Sequence, residues 1–257
     1  MKRKLLIASF SVLLLIAIVG VFAVPWHGLT TAERWREMHS GRIYFRGSSH
    51  KRAVALTFDD GPDVRYTPDI LKTLKNEHVH ATFFVCGKML AAHPELGIQI
   101  VHEGHVIGNH TDTHPHLERE TNPDVARELN RCEDRIESIT GERTYLFRPP
   151  RGLWNKTVFD DAKAHGYNII LWSLAFDRSS IHYSPDLRKR VVKLAKPGDI
   201  ILLHDGSNSK KDERGATTKE LSAVIHGLKK RGFAFLTVPE MLHIRGDQPV
   251  PFQSDRK

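Results

Sequence analysis

Arg52-Ala53-Val54-Ala55-Leu56-Thr57-Phe58-Asp59-Asp60-Gly61-Pro62 joins a short apolar run to two adjacent acids and a turn. The run reads as a buried strand, and Gly61-Pro62 stops it and turns the chain. Two carboxylates therefore stand at a strand's C-terminal end. Side chains alternate along a strand, but at its end a turn can bring both toward one site. Side by side they repel and need a cation or a proton between them. Taken alone, Asp-Asp-Gly-Pro is equally well a plain surface turn, and the rest of the chain decides between the two.

Outward from this stretch the pattern is strand, then helix, repeated. Residues 81–85, 105–108, 145–147, 168–172, 199–203 and 234–238 read as strands. Residues 67–76, 123–139, 155–165, 185–195 and 217–230 read as helices. Such alternation implies parallel strands with helical crossovers. About seven parallel strands in roughly 200 residues predict an α/β barrel with its chemistry at the C-terminal strand ends. The polar clusters fall there: Asp59 and Asp60, then Asn109, His110 and His114, then Arg148, then His204 and Asp205.

Composition narrows the class. The chain has 257 residues, 40% of them hydrophobic, enough for one barrel-sized core and too many for global disorder. The net charge is +8, three of it from Lys2, Arg3 and Lys4. The remainder is too diffuse to argue for nucleic acid and suits an anionic surface polymer. Cys86 and Cys132 are too few for a disulfide framework and read as two buried thiols. No Gly-x-Ser-x-Gly elbow is present, and no motif surrounds Cys86, so neither a serine nor a cysteine nucleophile is expected.

The basic start is followed by an uncharged run, residues 5–24, long enough to cross a bilayer. A transmembrane helix with the remainder outside the cell is expected. A cleaved signal peptide is the rival, disfavoured because the apolar core exceeds the usual 7–15 or so residues. The expected organisation is an anchor (1–24), a stalk (25–50), a domain (51–245) and a tail (246–257).

His110-Thr-Asp-Thr-His114 puts two imidazoles at i and i+4, on one face if the turn is helical. With Asp60 they make a His-His-carboxylate set, and three protein ligands leave positions open for water and substrate. His105 and His116 read as a strand residue and a loop residue. The prolines of Arg148-Pro149-Pro150-Arg151-Gly152 hold the backbone extended, giving Arg148 a fixed exit toward a carboxylate across the barrel mouth. His204 ends an apolar strand, and a histidine facing a metal there can give a proton to a leaving group.

The segments 57–62, 110–114, 148–152 and 202–205, in this order, closely resemble the polysaccharide deacetylases of carbohydrate esterase family four. The sequence Glu103-Gly-His-Val-Ile-Gly-Asn-His-Thr-Asp-Thr-His114 is similar to that family too, and the likeness spans roughly residues 51–242. The resemblance implies a distorted (β/α) barrel that removes acetyl groups from a polysaccharide with a divalent metal. Zn²⁺ is expected, with Co²⁺, Ni²⁺ or Mn²⁺ as alternatives. It implies Asp60, His110 and His114 as metal ligands, Asp59 as general base, Arg148 as its partner and His204 as general acid. The backbone N–H of Arg151 would meet the oxyanion. The expected enzyme is a membrane-tethered monomeric N-deacetylase of peptidoglycan N-acetylglucosamine or N-acetylmuramic units. The alternatives are an impaired glycan-binding protein on the same fold, or a deacetylase of chitin oligomers or O-acetyl xylan. Two departures from the family stand out. Arg151 replaces an aromatic residue. Ala175-Phe176-Asp177-Arg178-Ser179 lacks the motif Asp that supports the histidine and the Trp that walls the groove, with Asp177 as a substitute two positions on.

Overall fold

The computed structural model describes residues 40–175, 187–207 and 215–244. Strands and helices alternate in chain order: β1 (Ile43–Tyr44), β2 (Ala53–Asp59), α1 (Thr67–Asn76), β3 (Thr82–Val85), α2 (Gly87–Ala92), α3 (Pro94–His102), β4 (Val106–Asn109), α4 (Asn122–Thr140) and β5 (Leu146–Phe147). Then come α5 (Lys156–Ala164), β6 (Asn168–Ile170), β7 (Leu174–Ala175), α6 (Leu187–Leu194), β8 (Ile200–His204), α7 (Gly215–Lys230), β9 (Ala234–Phe235) and α8 (Val238–Leu242). The sheet runs β1-β6-β5-β4-β3-β2-β8-β7, with β9 also on β2, and every ladder is parallel. It curls into a partial barrel. An antiparallel bridge between Arg46 and Asp199, and the Gly47 N–H to Gly198 carbonyl bond of 2.8 Å, draw the β1 edge round to the approach of β8.

The two faces of β2 are both buried, as its unbroken apolar run requires. Val54, Leu56 and Phe58 face outward into a core shared with Ile70, Leu71 and Leu74 of α1 and Leu221, Val224 and Ile225 of α7. Ala53 and Ala55 face inward, where Phe84, Leu146, Ile170 and Ile200 fill the barrel beside Val238 and Met241 of α8. The inward parity then continues upward in each strand. It leads from Ala55 to Asp59, from Leu146 to Arg148 and from Ile200 to His204. One alternation thus makes the barrel apolar below and polar at its mouth.

Two expectations change. The sheet begins inside the segment read as a stalk, because Ile43 is buried and β1 pairs with β6. The last strand stops at Phe235, because the Thr237–Glu240 capping box starts a helix at Val238. The anchor, residues 1–24, and the tail, residues 246–257, lie outside the described residues. Among the described residues no helix is long and apolar enough to cross a membrane.

Leu56 is fully buried on the central strand. Leu56→Ala should cost about 2–5 kcal/mol of stability, the range for a large-to-small core change. A urea midpoint that falls with an unchanged slope is the expected reading.

Candidate metal and catalytic site

The tension between the two adjacent acids is resolved by backbone geometry. Asp59 ends β2 in extended conformation, and Asp60 takes the left-handed region at φ 75, which Asp tolerates better than most residues. That twist brings the second carboxylate toward the histidines at the same mouth. Two glycines permit the tight approach of the neighbouring turn. A Cβ at Gly206 would lie 2.4 Å from the Asp60 carbonyl, and one at Gly61 would lie 2.2 Å from the Asp205 carboxylate. Asp205 is a brace here. Its Oδ2 accepts the Thr67 hydroxyl at 2.7 Å, and the same Thr67 oxygen accepts the Asp63 N–H at 2.8 Å. Burial, with the negative charges of Asp60 and Asp59, outweighs the Thr67 bond and pushes the Asp205 carboxyl up to about 7.

Asp59 is held by Arg148, which is fully buried. Its Nη1 donates to Asp59 Oδ1 at 2.6 Å and to Thr57 Oγ1 at 2.8 Å. Its Nε and Nη2 donate to the carbonyls of Ile170 at 2.9 Å and Leu171 at 3.1 Å. The guanidinium lies over the Phe84 ring, 4.1 Å from its centroid. With Oδ1 engaged, Asp59 Oδ2 is turned to the histidines, 3.8 Å from His110 Nε2. Burial lowers the Arg148 pKa, and the Asp59 charge opposes it.

His110 and His114 are brought together without a helical turn. Residues 110–114 form a loop, with Thr111 at φ 69 and His114 at φ 57. His114 N–H donates to Thr111 Oγ1 at 3.1 Å, and Thr113 is fastened to Glu128 through its N–H at 2.8 Å and its hydroxyl at 2.9 Å. The rings tilt at 58°, with centroids 5.1 Å apart. Asp60 Oδ1 is 3.5 Å from His110 Nε2 and 3.2 Å from His114 Nε2. The three donor atoms lie within 4.8 Å of one another.

This donor set fits a divalent cation. Ligand atoms about 2.1 Å from a tetrahedral ion stand about 3.4 Å apart, close to the separations seen. His110 Nδ1 donates to the Arg148 carbonyl at 2.7 Å, so the ring's other nitrogen, Nε2, is the one that would meet a bound cation. Burial and the neighbouring His110 charge push His114 down to about 3, keeping that ring neutral. Burial would raise Asp60, but its bond to His110 and the charges of protonated His204 and His110 hold it well below the usual carboxylate range.

His204 stands opposite Asp59 in the β2–β8 register. Arg151 sits in a turn at φ 60, and its exposed guanidinium donates to the Pro115 carbonyl at 2.8 Å. His105 is a buried strand neighbour whose Nδ1 accepts the Ala81 N–H at 3.2 Å, and burial lowers it to about 4. His116 is an exposed partner of Glu118. Cys86 and Cys132 are free and buried. Asp177 lies outside the described residues. Thr67 and Glu128 carry no sequence signal as site residues, since isolated hydroxyls and acids are common everywhere. Only their contacts reveal them.

A lysine at position 148 could not meet four acceptors on two strands. Arg148→Lys should therefore lower stability by about 1–3 kcal/mol, the cost of leaving a buried acceptor unmet while the charge is kept. Thermal unfolding of the purified variant checks this.

The polysaccharide deacetylase family model matches residues 46–170. A peptidoglycan-N-acetylglucosamine deacetylase of Bacillus cereus is 37% identical over 209 residues, 80% of this chain and 95% of that one. A peptidoglycan-N-acetylmuramic acid deacetylase of Bacillus subtilis is 33% identical, over 77% of this chain and 74% of that one. The crystal structure of a peptidoglycan N-acetylglucosamine deacetylase with a bound naphthyl N-hydroxybenzamide is similar at TM-score 0.77 and 31% identity. That likeness covers 84% of this chain and 98% of the other. On this evidence the chain belongs to the polysaccharide deacetylase family, whose members are hydrolases.

Proposed function

We propose that this protein removes N-acetyl groups from a cell-wall glycan, with peptidoglycan N-acetylglucosamine or N-acetylmuramic units as the substrate. The reading is carried by one juxtaposition, a His-His-Asp donor set beside a carboxylate locked to a buried arginine. The relatives that act on peptidoglycan support the substrate class. A divalent metal such as Zn²⁺, held by Asp60, His110 and His114, would supply Lewis acidity toward the acetyl carbonyl and acidify water.

The chain's own residues then have distinct tasks. Asp59 accepts the attacking water's proton at Oδ2, while Arg148 holds Oδ1 and keeps the carboxylate aimed. The Arg151 N–H stabilises the negative oxygen that develops on the former carbonyl. His204, across the mouth, protonates the amide nitrogen as the C–N bond breaks, giving acetate and a free amine. Ala175 ends β7 where the family carries a supporting carboxylate. That departure favours the second reading, an impaired glycan-binding protein. The complete Asp59, Asp60, His110, His114, Arg148 and His204 set favours the enzyme.

Acetate release from N-acetylated peptidoglycan fragments, with metal content measured in parallel, tests the reading. His114→Ala should lose stoichiometric metal. Asp59→Asn should keep metal and lose turnover by roughly 10²-fold or more. Unchanged acetate release in Asp59→Asn would remove Asp59 from the chemistry.

We also propose that residues 5–24 anchor the protein in the cell membrane with the catalytic domain outside. Full-length protein should stay with membranes through an alkaline wash. Soluble protein beginning near Val24, read by N-terminal sequencing, would replace the anchor with a cleaved signal.

A further inference from the structure

Behind the two histidines runs a buried chain of hydrogen bonds that no chemical step above uses. Glu133 of α4 accepts the Thr144 N–H at Oε1, 3.1 Å away, and the Tyr167 hydroxyl at Oε2, 2.9 Å away. The Tyr167 oxygen in turn accepts from Asn109 Nδ2 at 2.8 Å. The other Nδ2 proton goes to the Leu129 carbonyl at 2.9 Å. Asn109 Oδ1 is left to accept the Thr111 N–H at 2.8 Å. Asn109, Tyr167 and Glu133 are all buried.

The direction of this chain matters. Thr111 is β-branched and sits at φ 69, a conformation such a residue adopts only when its surroundings impose it. Thr111 also places both imidazoles. It follows His110 directly, and its hydroxyl accepts the His114 N–H at 3.1 Å. The backbone of Asn109 joins in, its carbonyl accepting the Arg148 N–H at 2.9 Å, and Arg148 returns its own carbonyl to His110 Nδ1.

A carboxylate at 133 can only accept, so the tyrosine hydroxyl must donate to it and can accept only from Asn109 Nδ2. That fixes which end of the amide faces Thr111. A glutamine at 133 has one acceptor oxygen for the two donors now served. With that oxygen serving the Thr144 N–H, the amide nitrogen faces the tyrosine, so the tyrosine bond reverses and the Asn109 amide turns its donors on the Thr111 N–H.

We infer that Glu133 and Tyr167 are positioning residues for the metal-ligand pair, acting through the Asn109 amide to hold Thr111 in its left-handed conformation and so set the spacing of His110 and His114. The inference rests on the metal site proposed above. Outer groups that orient metal ligands typically change affinity 10–100-fold when removed.

The test uses full-length protein in detergent, with two readouts. Zn²⁺ affinity is measured by competition with a chromophoric chelator. Exchange of the Thr111 amide is measured on metal-free protein. Tyr167→Phe and Glu133→Gln should each weaken Zn²⁺ binding about 10-fold or more, with faster Thr111 exchange. The control is Glu77→Gln, which loosens the α1–α7 contact that Glu77 makes with Ser222 at 2.9 Å and Lys229 at 3.2 Å. It should lower stability and leave Zn²⁺ affinity unchanged. Wild-type affinity and wild-type Thr111 exchange in both variants would overturn the inference, as would an equal loss of affinity in Glu77→Gln. If wild type takes up no Zn²⁺ but the variants still speed Thr111 exchange, the metal reading fails and the positioning role stands.

Discussion

A buried guanidinium next to a buried carboxylate sets the terms for this fold. Taking both charges out of water costs several kcal/mol per ion, and their attraction repays this only when the remaining donors are met. Arg148 meets that condition with Thr57 and Asp59 of β2 and the carbonyls of Ile170 and Leu171 at and just past the end of β6. β2 and β6 are not neighbours. β3, β4 and β5 lie between them in the sheet. Only a sheet curled across its own interior lets one side chain reach both, so the curvature and the ion pair require each other.

The backbone around the mouth is strained in a consistent way. Six non-glycine residues among those described have positive φ, and four of them, Asp60, Thr111, His114 and Arg151, surround the site. Each such residue costs of order 1–3 kcal/mol and persists only where packing over-determines it. The restraints are visible. Gly206 presses against the Asp60 carbonyl, and Asn109, Thr113 and Arg148 hold the histidine loop. The fold itself thereby holds Asp60, His110 and His114 together, and the ordering cost of that cluster falls on folding.

Much of this was legible in the sequence, for a definite reason. Strand alternation is local, so the apolar runs ending in Asp59, Asn109, Arg148 and His204 announced both a curled parallel sheet and the end at which its polar side chains gather. The pairing of Arg148 with a carboxylate was readable too, because a strand exit held by two prolines leaves arginine little freedom. Less readable were β1, two residues long and supported by pairing with β6, and the helices at 87–102, whose pattern is broken by His93-Pro94.

What the sequence determined by itself is the set of residue types and their periodic placement. Those are properties of neighbours along the chain, and the family resemblance follows from them. What tertiary structure alone decided is how those residues meet. The His110–His114 spacing suggested a helical turn, but contacts from Asn109, Glu128 and Arg148 impose a left-handed loop instead. Glu133 and Tyr167 look like an ordinary helix acid and an ordinary core aromatic until the fold stacks α4 behind β4. Their role comes from partners 24 and 58 residues away from Asn109 in sequence (Glu133 and Tyr167), and no local pattern encodes a hydrogen bond across that distance.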